Sequence, residues 1–271
     1  MTAIYMSRKE KTDFQDDRTR KIDEQIFFDK RVVRNRKALI SYDAPFLQYV
    51  VTDLENYAIG QLADLKGKKL LVYGCGVNLK RAVEFINQGA MVYMIDISPR
   101  SIELVLKKVK DLSIGDRVFP AVMDCEDLKF TEGEFDAVYG RAILHHLTLE
   151  KAMSEIHRVL KEGGIGVFIE PLGINPLINL YRRLTPKRRS PYERPFISKD
   201  LKFVENLGFS NFKHQEFTLF CNAGIFLSRF LKVRKRAAIT YKNLRRLDEF
   251  VLTRFPFLRK FCWNTVLVMT K

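Results

Sequence analysis

From Lys68 onward, short apolar runs alternate with longer segments whose apolar positions recur every three or four residues. The runs KKLLVY (68–73), AMVYMID (90–96), RVFPAVMD (117–124), FDAVYG (135–140) and IGVFIE (165–170) are predicted strands. They are apolar without interruption, as strands covered on both faces should be. Between them, helices are predicted over Leu79–Gln88, Arg100–Leu112 and about Leu149–Lys161, the last ended by Gly163-Gly164. Strands and helices alternating at this spacing make parallel βαβ units, so the predicted fold class is α/β with an open, doubly wound sheet.

The flanks read differently. The first 25 or so residues are charge-rich with few apolar anchors and are predicted to be a mobile arm. From Ile26 apolar and aromatic positions take on helical spacing, with Asp43 the expected N-cap of a helix through Leu65. Residues 1–66 are therefore read as an arm and helices, and residues 67–271 as the main domain. After Glu170 the stretch PLGINPLINLYRRLTPKRRSPYERPF is too rich in Pro and Arg for a regular crossover. It follows the C-terminal end of a strand, where ligands bind in such sheets, so a lid-like insertion is predicted over residues 172–200. Lys199–Leu207 is a predicted helix, and FSNFKHQEF (209–217) and WNTVLVMTK (263–271) are predicted strands. Residues 218–260 form a second, basic, helical insertion between those strands.

With 271 residues and 46% hydrophobic positions, the chain can bury a sizeable core. It has no apolar run of about 18 residues and a polar N-terminus, so a cytoplasmic chain that does not span a membrane is expected. Cys75, Cys125, Cys221 and Cys262 lie far apart with no CxxC pair, which predicts free thiols and no metal site. The net charge of +15 is one-sided: residues 1–159 hold 25 Lys and Arg against 24 Asp and Glu, and residues 160–271 hold 22 against 8. A basic C-terminal portion of this kind fits an anionic membrane surface, nucleic acid or an acidic substrate, or a merely solvated face. The stretch FTLFCNAGIFLSRFLKVRKR (217–236), apolar with a basic flank, has the pattern of an interfacial segment peripheral to a membrane.

Chemistry concentrates where the first strand ends in Tyr73-Gly74-Cys75-Gly76. Glycines there let a ligand approach the backbone and permit a tight turn. Asp96 ends the next strand 20 residues after Gly76, where a carboxylate accepts the two ribose hydroxyls of an adenosine. A dinucleotide fingerprint would place a third glycine at position 79, which is Leu79 here. Asp124 ends the third strand, placed to accept a proton from the exocyclic amine of an adenine. A bare adenosine group is therefore the expected ligand.

The motifs VYGCGVN, MIDISP, MDCEDLKF, EFDAVYGRAILHHL and EIHRVLKEGGIGVFIEP span about residues 68–171. In order and spacing the chain resembles the class I S-adenosylmethionine-dependent methyltransferases, of the group that contains menaquinone, ubiquinone and small natural-product methyltransferases. The resemblance implies a Rossmann-like sheet of seven strands, the last antiparallel, with S-adenosylmethionine as cofactor and S-adenosylhomocysteine as product. It further implies that Gly74 and Gly76 face the methionine part, Asp96 the ribose, Ile97 the adenine face, and Asp124 with the Cys125 backbone the adenine edge. Arg141 would offer its backbone carbonyl to the methionine ammonium. The chain departs from the family at Val72, where an acidic residue is usual, and at Asn78, where a third glycine is usual. Asn tolerates a left-handed backbone, so the turn is expected to survive.

Methyl transfer needs the acceptor positioned and, for oxygen or carbon, a proton removed. His145 and His146 follow the fourth strand at the rim of the crevice, and a neutral imidazole has suitable basicity, so one of the pair is expected to act as base. Glu170, at the end of the fifth strand, is the candidate to orient a histidine or bind an acceptor hydroxyl. Phe27, Phe28, Tyr42, Tyr181 and Tyr192 are candidate acceptor-pocket aromatics, while His157 and His214 receive no role. RAILHHL lacks the Asn/Asp-Pro-Pro-aromatic stretch of base N-methylation, which disfavours nucleic acid. The expected enzyme methylates oxygen or carbon of a small, hydrophobic acceptor, with a dimer an open expectation.

Overall fold

A computed structural model describes residues 17–34, 45–62, 64–186, 189–222, 224 and 237–271. Two helices, α1 (Asp17–Arg34) and α2 (Pro45–Gly60), precede the sheet. Then follow β1 (Lys69–Tyr73), α3 (Lys80–Asn87), β2 (Met91–Asp96), α4 (Pro99–Asp111), β3 (Val118–Val122) and β4 (Phe135–Arg141). The second half contains α5 (Leu149–Val159), β5 (Leu160–Pro171), α6 (Pro176–Leu184), α7 (Ser198–Glu205), β6 (Asn211–Phe217), α8 (Ala237–Arg254) and β7 (Asn264–Thr270). Single 3-10 turns cover Leu144–His146 and Pro256–Phe261.

The seven strands form one sheet in the order β3-β2-β1-β4-β5-β7-β6. β1 to β5 are parallel, and β7 lies antiparallel between β5 and β6. Side chains alternate across the sheet, so Leu70 and Val72 join the core beneath α2, α3 and α4, while Leu71 and Tyr73 join the one beneath α5 and α7. Strand order reverses between β1 and β4, where a crevice opens beyond the carboxyl ends of the strands.

Three local expectations change. Residues 17–25 belong to α1 instead of a mobile arm, while residues 1–16 lie outside the described residues. α1 is a polar helix held by charged contacts, among them Arg20 to Glu126 and Lys21 to Asp124, both at 2.7 Å. Second, α5 ends at Val159, before the glycine pair, and β5 begins at Leu160. A shift in the β4–β5 register between Phe135 and Ala137 absorbs the extra residues, and Gly163 takes φ +73° there. Third, Asn78 is absent from the left-handed residues; its Oδ1 instead accepts the Lys80 N–H at 3.1 Å at the start of α3. Asp43, Tyr42 and residues 225–236 of the expected interfacial stretch lie outside the described residues.

Candidate active site

The β1–α3 turn follows from its glycines. Gly74 has φ +66° and Gly76 φ +53°, a region that side chains with a Cβ seldom adopt. A Cβ on Gly74 would also sit 2.5 Å from the Ile143 side chain. The turn is tied to β2 at two points: the Cys75 N–H donates to the Ile95 carbonyl at 2.8 Å, and the Gly76 N–H to Asp96 Oδ2 at 2.7 Å. Asp96 Oδ1 accepts the Ser98 N–H at 2.9 Å. Burial pushes the Asp96 carboxyl above its ordinary range, and the Ser98 and Gly76 amides oppose that rise.

Asp124 begins the turn after β3, with Oδ1 accepting the Glu126 N–H at 2.8 Å and Oδ2 2.7 Å from Lys21 Nζ of α1. The Tyr73 hydroxyl donates to the Cys125 carbonyl, which joins the carboxyl ends of β1 and β3. Burial drives the Cys75, Cys125 and Tyr73 side chains toward their protonated forms, so neither thiol is a ready nucleophile.

These groups face one cavity of about 1040 Å³. Its wall includes Tyr73, Gly74, Cys75, Gly76, Asn78, Asp96, Ile97, Asp124, Cys125, Arg141 and His146. The structure thus gathers every predicted cofactor residue and one of the three predicted catalytic groups. His145 and Glu170 do not line the cavity. Glu170 is fully buried and accepts from the Ile143 and Leu144 N–H groups at 3.0 and 2.8 Å, with His145 Nδ1 at 2.6 Å. The pair therefore braces the turn that carries His146. Burial and the neighbouring His146 hold His145 below the ordinary imidazole range, Glu170 notwithstanding.

Other expected positions separate as clearly. Phe28 lines the cavity and meets His146 edge-on at 5.3 Å, whereas Phe27 packs on Phe28. Tyr181 lies under the Arg189 guanidinium, and the Tyr192 hydroxyl donates to Asp23 at 2.7 Å, so neither forms the described cavity wall. Among the described residues, α1 and α2 supply that cover; the insertion at 172–200 does not.

Several wall residues were not singled out from sequence. Glu24 of α1 is buried, with Oε2 3.5 Å from His146 Nδ1; neither atom has a hydrogen-bond partner among the described residues. Glu55 of α2 is buried between the Arg81 and Arg141 guanidinium groups, the latter at 2.9 Å. The Tyr139 hydroxyl, on the same wall, is buried without a partner among the described residues. The usable signal was the i, i+3 and i, i+4 pairing of Asp17 with Arg20 and Lys21, which marks a helix in the polar arm. A further set, His145, His146 and Glu193, brings one potential metal-ligating atom from each residue within 4.8 Å of the others, with Glu193 already 3.1 Å from Arg189.

Residues 71–168 match the family model described as a methyltransferase domain. Over these residues the chain is similar to methyltransferase domains. An uncharacterised methyltransferase of Synechocystis sp. is 31% identical over 144 residues, which cover 48% of this chain and 65% of that protein. The ubiquinone/menaquinone biosynthesis C-methyltransferase UbiE of Geobacter sp. is 40% identical over 77 residues, 28% of this chain and 33% of the relative. Both matches span less than two thirds of the relative's length. The fold is shared with geranyl diphosphate C-methyltransferase of Streptomyces coelicolor, at TM-score 0.61 and 14% identity over 89% of this chain and 83% of that one.

Proposed function

We propose that this chain is an S-adenosylmethionine-dependent methyltransferase that methylates carbon or oxygen of a small, hydrophobic acceptor. The observation that carries the reading is the convergence of the glycine turn, Asp96 and Asp124 on one cavity. The residues fit the cofactor. The cradle at Gly74 is closed to a Cβ, and the Asp96 carboxylate, anchored by two amides, keeps lone pairs for ribose hydroxyls. Ile97 offers an apolar surface for an adenine face, and Asp124 an acceptor for its amine.

When bound, S-adenosylmethionine supplies an electrophilic methyl group on a sulfonium. The protein's task is then to align the acceptor and take its proton. His146 is the histidine of the described cavity wall and the candidate base: its ring would take the proton that the acceptor atom gives up on methylation. Glu24 stands beside His146 Nδ1 as a positioning residue, and Phe28 packs edge-on against the His146 ring. The two relatives named as C-methyltransferases favour carbon over oxygen as the acceptor atom.

The test is formation of S-adenosylhomocysteine with a panel of prenylated quinols, phenols and isoprenoid alcohols. Turnover on a member of that panel that falls sharply in His146→Ala supports the reading. Full turnover in that variant would remove His146 from the chemistry.

A further inference from the structure

The excess of cations in the C-terminal portion has no part in the site just described. It accompanies a second feature, large apolar side chains left exposed along two helices. On α6, Leu177, Leu180 and Leu184 recur three and four residues apart, at 54%, 54% and 73% exposure, while the opposite side buries Ile178. On α8 and the 3-10 turn after it, Ile239, Phe250 and Phe257 are exposed to 65%, 69% and 65%. Tyr241, Arg245 and Asp248 occupy the other side of α8, bonded to Asp53 and to the backbone of residues 219–221. The start of α6 and the end of that turn are tied together: the Asn175 amide that caps α6 donates to the Phe261 carbonyl at 2.5 Å.

Solvent-exposed cations rim this surface: Arg183, Lys242, Arg246, Arg254 and Lys260. The neighbouring acid Glu249 is paired with Arg245 at 3.0 Å. Scattered apolar residues are ordinary on a surface, but a helical stripe of leucines beside aromatic tips and a cationic rim is not. That combination is complementary to a bilayer interface, with acyl chains for the apolar tips and anionic headgroups for the cations. Among the described residues no helix is long and apolar enough to cross a membrane, so the contact is peripheral.

We propose that the α6 stripe, the exposed face of α8 and the following 3-10 turn dock this protein on an anionic lipid surface. The α6 part of the patch is linked to the site: α6 follows the carboxyl end of β5, and Ser190 and Tyr192 beyond it bond Glu24 and Asp23 of the cavity-lining helix α1. For the acceptor, this rests on the function proposed above, and it makes that acceptor a molecule dissolved in the bilayer.

The experiment is co-sedimentation of the full chain with vesicles of phosphatidylglycerol and phosphatidylcholine, against vesicles of phosphatidylcholine alone, at low and high salt. Binding to the anionic vesicles only, weakened by salt, is expected. Leu180→Asp with Leu184→Asp should weaken it at least tenfold, and Arg246→Gln or Lys242→Gln about fivefold each. These side chains are solvent-exposed, and titration with S-adenosylhomocysteine checks that each variant keeps its site. Absence of binding to anionic vesicles overturns the proposal, as do variants that bind like the parent. Self-association abolished by Leu184→Asp, with vesicles left unbound, would assign the face to a second copy and also overturn it. Vesicle binding without any cofactor binding would instead defeat the enzymatic reading and leave the docking surface standing.

Discussion

Asp96 holds the first glycine turn through Gly76 and the start of α4 through Ser98, and the same carboxylate faces the cavity. Replacing it by Ala removes hydrogen bonds to a charged group, worth about 1.5–3 kcal/mol each. Cofactor affinity in Asp96→Ala should fall on the order of a hundredfold, read by calorimetry. His146 belongs to the other half of the site. His146→Ala should lower turnover by about 10²- to 10⁴-fold while cofactor affinity stays within a few fold. Glu24→Gln should lower kcat by a smaller factor without moving the melting temperature. Asp96 and Asp124 were legible because the first ends an apolar strand and the second stands two residues past the end of one, positions the pattern itself marks. His146 and His145 were legible only as a pair. Which one faces the cavity depends on Glu170 reaching the turn from β5, and that contact joins residues 25 positions apart in the chain.

Among the elements, the sheet was readable since each strand is a short apolar run bounded by turn residues. Helix α1 was not. Its polar sequence lacks the broad apolar stripe of a core helix, and its place over the cavity depends on Arg20 reaching Glu126 and on Lys21 reaching Asp124. The β4–β5 bulge was hidden for a related reason: Gly163-Gly164 reads as a helix stop, and only pairing with β4 shows the strand starting earlier. Two substitutions probe this scale. Gly74→Ala combines a left-handed backbone with a clash against Ile143, so a loss of about 1–3 kcal/mol is expected, seen as a lower urea midpoint at unchanged slope. Asp248 on α8 accepts the Leu219 and Phe220 N–H groups at 3.0 and 2.6 Å. Asp248→Ala leaves those donors without their partner and should cost about 1–3 kcal/mol for each that stays buried.

For the whole molecule, two long-range properties follow from charge. The pH dependence has a definite sign at His145, whose folded form resists protonation because it is buried beside His146. The unfolded chain takes up that proton below a pKa of about 6.5, so the stabilising contribution is complete above that value and is lost as pH falls through it. His214 has the opposite sign: its bond to Glu216 raises its pKa, and its contribution is lost as pH rises through the raised value. The melting temperature should therefore drop less from about pH 7 to pH 5 in His145→Asn than in the parent, with His214 common to both. Equal drops would remove His145 from the balance. The second property, the concentration of cations after residue 160, was visible as a count. Its relation to exposed leucines on α6 was not, because strand and helix patterns say nothing of which apolar stripe is left without a partner.

The enzymatic reading depends on the cavity beyond β1, β2 and β4 being a cofactor site. The direct measurement is calorimetric titration of the full chain with S-adenosylhomocysteine, repeated on Asp96→Ala. Saturable binding at one site per chain, weakened on the order of a hundredfold by the substitution, is the expected result. No binding to the parent chain, or equal binding to both proteins, would contradict the assignment.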